Sequence, residues 1–190
     1  MSTAPHPDPS PRPEPPVTTG TSPASPVAGR VHRHLETPLG TYVLAADGDD
    51  LVGVWREAQK KFPAPARLGE PAAGTHTVLD EAGQQLLDYL AGRRERFELP
   101  LAPGGTRFQQ AVWDHLSTIP RGTTTTYGEI AGALGRPRAA QAVGAAVGSN
   151  PLSIVVPCHR VVGSSGDLTG YAGGMETKRA LLILEGALSA

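Results

Sequence analysis

Nine of the chain's 19 prolines fall within its first 29 residues. In that stretch Val17, Val27 and a few alanines are almost the only apolar side chains. Such a segment cannot bury enough surface to offset the entropy of ordering it. Residues 1–29 are therefore expected to form a disordered tail. Folding falls to the rest, about 160 residues, enough for one domain or two small ones that bury roughly 70% of their unfolded surface.

That fold must hold without covalent staples. Cys158 is the only cysteine, which excludes an intramolecular disulfide and a cysteine-rich zinc finger. No apolar run approaches the roughly 20 residues of a membrane helix. The opening Met1 to Pro7 lacks the basic and apolar regions of a signal peptide. A cytoplasmic protein with no membrane partner is expected.

Charge is uneven along the chain. Residues 1–103 carry 10 Lys and Arg against 13 Asp and Glu, while residues 104–190 carry 7 against 5. The second half is weakly basic, short of the signature of a strong nucleic-acid binder. Composition permits a nucleic-acid partner and does not demand one.

Hydrophobic periodicity divides residues 30–103 from 104–190. In the first part Thr41 to Ala46 and Leu51 to Trp55 read as strands, joined by turn chemistry at Asp47 to Asp50. Residues 62–75, rich in Pro and Gly, read as a loop. Val78, Leu79, Ala82, Leu86 and Leu90 recur at helical spacing, with Gly92 as a stop. Pro100 to Gly105 is the candidate linker.

The second part carries two capping boxes, Thr106 to Gln109 and Thr126 to Glu129, each opening a helix. Phe108, Val112, Leu116 and Ile119 mark the first helical face. A third helix runs from Arg138 to about Val147 and is thin, being mostly Ala and Gly. Two short helices joined by a Gly-containing turn fit a helix-turn-helix, or equally an ordinary helical hairpin. The thin helix suits close helix packing and groove insertion alike.

Chemistry concentrates in Ile154 to Val162. Ile154 to Val156 reads as a short buried strand. Cys158 and His159 are neighbours, so in a continuing strand their side chains would face apart; Pro157 supplies a break. Only the thiolate is a strong nucleophile, and a His oriented by a third group can generate it. The acids available in this half are Asp114, Glu129, Asp167, Glu176 and Glu185. A lone cysteine is also a common buried apolar residue.

These residues stand in a familiar order. Thr106-x-Phe-Gln109, Val112-Trp113, Ile119-Pro120-x-Gly122, Thr126 to Ala131, Asn150-Pro151, Ile154 to Val161 and Leu168 to Gly174 resemble the O6-alkylguanine-DNA alkyltransferases. The likeness is close over residues 104–186, and Thr37 to Gly40 with the following strand looks like that family's N-terminal domain. The resemblance implies an α/β, ribonuclease-H-like N-terminal domain and a mainly helical C-terminal domain with a winged-helix-like helix-turn-helix. It implies a protein that binds double-stranded DNA, uses no cofactor, and takes an alkyl group from O6 of guanine, or O4 of thymine, once; a monomer is expected, and with Cys158 the only cysteine no metal is expected.

By the same resemblance Cys158 is the alkyl acceptor and His159 its base through a water. Glu185 orients that relay, and Asn150 holds the active-site backbone. Tyr127 presses on the phosphate beside the target and protonates the leaving base. Tyr171, Ala172 and Gly173 wall the pocket, and backbone groups of Cys158 and Val161 accept from the guanine amine. Arg136 and Arg138, just before the third helix, are candidates for phosphate contacts or belong to a solvated turn. Gln141 takes the position where the family usually inserts an arginine into the base stack. Ala172 replaces a serine found in some members. The competing readings are a non-catalytic binder of alkylated DNA and a thiol hydrolase. His32, His34, His76 and His115 are expected at the surface.

Overall fold

The computed structural model describes residues 29–189. The expected tail lies outside them apart from Gly29. Strands β1 (Arg30–Leu35), β2 (Tyr42–Asp47) and β3 (Asp50–Arg56) run antiparallel in sequence. Gly48, at φ 59°, turns the β2–β3 hairpin in the left-handed conformation such two-residue turns favour. Alternation along β2 explains how both sheet faces are covered. Tyr42, Leu44 and Ala46 enter the main core, whereas Val43 and Ala45 join Val52, Trp55 and Leu68 in a smaller cluster.

Two features of this half depart from the sequence reading. Strand β1 escaped it because Arg33 stands between Val31 and Leu35 on one face and breaks the apolar alternation; its guanidinium pairs with Asp80. The expected loop at 62–75 holds a short helix α1 (Pro65–Leu68) and strand β4 (Glu70–Pro71), which pairs parallel to β1. The sheet order is β3-β2-β1-β4. Pro71 is tolerated because β4 is an edge strand.

Helix α2 (Thr77–Leu90) lays Val78, Leu79, Ala82, Leu86 and Tyr89 on the sheet. The following segment leaves along the outer edge of β3, where Leu51 N–H donates to Pro100 O (2.8 Å) and Ala102 N–H to Leu51 O (3.1 Å). The start of the expected linker thus covers an edge that would otherwise stay unpaired.

The remainder is mainly helical. Helices α3 (Arg107–Ser117) and α4 (Tyr127–Ala133) each begin with a complete capping box. Gly135, at φ 68°, turns the chain after α4. Helix α5 (Ala140–Val147) follows, and α6 (Met175–Leu184) closes the fold. Strands β5 (Thr125–Thr126) and β6 (Val161–Val162) form a two-stranded parallel sheet. Trp113 Nε1–H donates to Ala146 O (2.9 Å) and ties α3 to α5. One apolar core runs without interruption from Tyr42 through Leu116 and Val143 to Leu181.

Ile154 to Val156 is not a strand. Ile154 sits at φ 72°, and Val156 N–H donates back to Leu152 O (2.8 Å). The side chain of Asn150 closes this turn from within. Its Oδ1 accepts Leu152 N–H (3.0 Å) and its Nδ2 donates to Val156 O (2.8 Å). A run of β-branched residues here serves burial rather than strand pairing. Residues 151–153 dock on β3 instead, with Val54 N–H donating to Pro151 O (2.8 Å) and Ser153 N–H to Val54 O (3.0 Å).

Candidate active site

Pro157 takes φ −80° and ψ 62°, the inverse γ-turn conformation, and Cys158 N–H donates back to Val156 O (2.8 Å). A single 3-10 turn, Cys158–Arg160, follows at once. This compact reversal resolves the geometry of the neighbouring pair: Cys158 and His159 leave a turn, not a strand. Both are buried, His159 completely.

The sulfur lies beside Asn150, whose Nδ2 donates to Cys158 Sγ (3.2 Å) as well as to Val156 O. One amide therefore sets both the turn and the position of the thiol. Burial pushes the Cys158 thiol above its ordinary pKa of 9.0; the Asn150 amide, the charge of Lys178 and the N–H groups of Cys158 and His159 pull it part of the way back. The resting group is a thiol, and a base must take its proton before it reacts.

His159, the next residue, is the candidate for that base. Its Nε2–H donates to Glu185 Oε1 (2.5 Å). Burial holds the imidazole below its ordinary 6.5 despite the opposing pull of Glu185. The ring is thus neutral, with Nε2 carrying the hydrogen and Nδ1 a bare acceptor. Nδ1 is buried and has no protein partner among the described residues.

Glu185 is the C-cap of α6 and only 5% exposed. Burial alone would raise its carboxyl, but donation from His159, Arg160 and Tyr89 brings it down to about 2. Arg160 Nε reaches Oε2 (2.8 Å) and Nη2 reaches Oε1 (3.2 Å), while the Tyr89 hydroxyl donates to Oε1. A further Arg160 nitrogen, Nη1, donates to Ile119 O (2.5 Å). A buried carboxylate needs this degree of pairing to stay charged.

Sequence reasoning missed four residues of this centre. Arg160 enters it only as part of the motif. Tyr89 lies on the apolar face of α2, three residues after Leu86, where a buried hydroxyl requires a partner. Lys178 is fully buried on the face of α6 that carries Leu181 and Leu182. A lysine on such a face is itself a signal. Its Nζ donates to Val161 O (2.5 Å) and Thr169 O (2.6 Å), and burial lowers its pKa to about 8. Tyr42, from the N-terminal sheet, has a buried hydroxyl without a partner among the described residues, and burial pushes its pKa up to about 12.

The expected pocket residues assemble in a second group. Tyr127, Tyr171, Ala172 and Gly173 line an open cleft of about 600 Å³. Tyr171 meets His159 edge-to-face, with ring centroids 6.4 Å apart. Gly170, at φ 50°, presents its bare Cα to the Tyr127 hydroxyl, which would lie 3.2 Å from a Cβ there. Val161 is buried, with its carbonyl already taking a hydrogen bond from Lys178.

Gln141, Arg136 and Arg138 form a third group, on the outside of the helix-turn-helix. All three are exposed. Gln141 stands in the first turn of α5, on a face completed by Ala142 and Ala145, while Val143, Ala146 and Val147 point inward. Arg136 places its guanidinium 5.4 Å from the centre of the Phe108 ring. Of the histidines expected at the surface, His34 is exposed beside Glu57 (2.7 Å), and His32, His76 and His115 are half-buried.

Comparison with known proteins matches both parts of the chain. Residues 107–187 match the 6-O-methylguanine DNA methyltransferase DNA-binding domain, and residues 31–103 match the ribonuclease-like domain of the same proteins. A methylated-DNA–protein-cysteine methyltransferase of Methanosarcina acetivorans is 46% identical over 153 residues, which are 80% of this chain and 96% of that protein. One from Mycobacterium tuberculosis is 46% identical over 155 residues, 81% of this chain and 91% of the relative. The crystal structure of Mycobacterium tuberculosis OGT in complex with DNA superposes with a TM-score of 0.75 at 44% identity, covering 83% of this chain and 93% of that one. Both parts of the chain match, and relatives 46% identical are covered almost end to end, so the chain belongs to the 6-O-methylguanine DNA methyltransferase family.

Proposed function

We propose that this chain repairs alkylated DNA by moving the alkyl group from O6 of guanine onto Cys158, once per molecule. The observation that carries the reading is the buried order Glu185, His159, Cys158. An ionised carboxylate fixes the imidazole tautomer, and the imidazole belongs to the residue that follows the chain's one thiol in sequence.

O6 of guanine lies inside the duplex, so the damaged nucleotide must leave the stack to reach the cleft, at a cost of a few kcal/mol. There Tyr171, Ala172 and Gly173 wall the base, and the backbone of Cys158 and Val161 takes the guanine amine. Lys178 steadies that wall through Val161 O. His159 Nδ1 accepts the thiol proton through a bridging water. The sulfur then attacks the alkyl carbon in line: the S–C bond forms as the C–O6 bond breaks, and the electron pair leaves with guanine. Tyr127 returns a proton to the departing base. The product is a thioether on Cys158, whose S–C bond is stable, so each molecule reacts once.

Outside the pocket, the exposed face of α5 suits the DNA groove, with Gln141 toward the gap left by the extruded base and Arg136 and Arg138 toward phosphates. We assign the boundary between the parts to 103/104. No helix among the described residues is long and apolar enough to cross a membrane. We place the protein in the cytoplasm, where DNA is at hand and a reducing milieu spares a lone reactive thiol.

Intact mass after incubation with a duplex bearing one O6-methylguanine tests the reading. A gain of one methyl less a proton, located on Cys158 and absent from Cys158→Ala, is expected. An unmodified protein that remains folded overturns it. Damage-dependent binding that persists in Cys158→Ala, with no mass change in the protein that keeps Cys158, would favour a sensor instead.

A further inference from the structure

The cleft lined by Tyr127, Tyr171, Ala172 and Gly173 has an uneven charge. Its lining includes three cationic side chains, Arg56, Lys60 and Lys61, and no acidic one. All three come from the N-terminal half, from the end of β3 and the loop toward α1. Arg56 is committed locally, its Nε donating to Leu39 O (2.8 Å). Lys60 and Lys61 are exposed, and neither forms a salt bridge among the described residues.

The loop that carries them is held in place. Lys60 N–H donates to Ala172 O (3.1 Å), joining it to the pocket wall. Buried Gln59 accepts Arg56 N–H at its Oε1 (2.9 Å) and anchors the start of the turn. Ala58 and Lys61 occupy the left-handed region, at φ 56° and 61°. Non-glycine residues at such angles persist only where the surroundings over-determine them. Lys61 Nζ stands 3.6 Å from where a Cβ on Gly148 would lie, at the end of α5.

We infer that Lys60 and Lys61 bind the phosphate backbone of the damaged strand beside the extruded nucleotide. A neutral base entering the pocket brings its phosphates to the rim, where two free ammonium groups and no carboxylate await them. Phosphate contacts of this kind set affinity and position without reading sequence. They also supply, from the other half of the molecule, positive charge that Gln141 does not carry on α5. The inference rests on the function proposed above, and the test separates the two.

Lys60→Ala/Lys61→Ala is compared with the unmodified chain in two ways. First, equilibrium binding to the damaged duplex is measured in a Cys158→Ser background from about 50 to about 200 mM salt. The slope of log affinity against log salt should flatten by about 2, one for each phosphate that loses its ammonium partner. Second, with Cys158 present, the alkylation rate is taken on duplex and on free O6-methylguanine base, which has no phosphate. The duplex-to-base ratio should fall about tenfold, and Lys60→Arg/Lys61→Arg should restore it.

An unchanged salt slope overturns the proposal. So does an equal loss on both substrates, which would make Lys61 a support for the end of α5 only. If the unmodified chain transfers no methyl group at all, the proposed function fails, and the binding slopes still decide whether this rim holds DNA.

Discussion

Glu185 and Gln141 stand at opposite extremes of the same half of the molecule. Glu185 is buried and takes hydrogen bonds from His159, Arg160 and Tyr89. Gln141 is exposed in the first turn of α5 and makes no side-chain hydrogen bond among the described residues. Around Glu185 every charge has a partner, so chemistry and stability depend on the same bonds. Around Gln141 little packs, so a side chain there changes what the surface meets and not whether the chain folds. Burial thus separates a residue bound into a network from one that is free of any.

Breaking the interior should have the larger effect. Glu185→Gln keeps the shape but removes the charge that Arg160 and His159 require. A loss of about 3–5 kcal/mol is expected, read from the urea midpoint, because a buried cation is left without its counter-charge. The alkyl-transfer rate should drop at least about 100-fold, since the imidazole loses its fixed tautomer. A stable, fully active Glu185→Gln protein would show that the network only fills space.

Acid should act on the same centre by stages. The folded state holds His159 below 6.5, so the unfolded chain takes up a proton that the folded chain refuses. Stability therefore falls as pH drops through 6.5, by up to about 1.4 kcal/mol per pH unit. Glu185, at about 2 folded against 4.5 in its ordinary state, adds its own loss only below 4.5. Urea midpoints should fall a little between pH 8 and 7 as Lys178 takes its proton, level out, and fall again from near 6.5. A level profile to pH 5 would mean that the imidazole is not held neutral.

The outer face should respond more gently. Gln141→Arg is expected to leave the urea midpoint within about 0.5 kcal/mol. The alkylation rate should rise by a few-fold on duplex and less on single strands, because a charge at this point assists extrusion. Equal or slower duplex rates would show that the face is already compensated, with the Lys60–Lys61 rim as the leading source. Removing residues 1–28 should have the smallest effect of all, leaving the rate unchanged in the same assay.

How much of this was legible in the sequence followed the range of the forces involved. The capping boxes at Thr106 and Thr126 are local, and both formed where the spacing put them. The β2–β3 hairpin rests on a two-residue turn and formed likewise. Ile154 to Val156 misled because its extended propensity lost to Asn150, whose amide bonds close a turn over six residues. The Cys158–His159 pair was visible as a motif, and family likeness singled out Glu185 among five acids. Tyr89 and Lys178 were not assigned, because their partners lie 96 and 17 positions away in the chain. A polar atom on an apolar helix face announces that it needs a partner and cannot say which one.

The reach of Tyr89 across those 96 positions bears on heredity as much as on chemistry. The two halves match separate family models, as though they could be inherited apart. Yet the first lends the second a hydroxyl on its key carboxylate, a strand edge under Pro151, and part of an undivided core. A gene fragment encoding only residues 104–190 would retain the nucleophile and lose the scaffold that keeps Glu185 ionised and dry. The seam that divides the sequence into modules is not a seam along which the folded molecule can be parted.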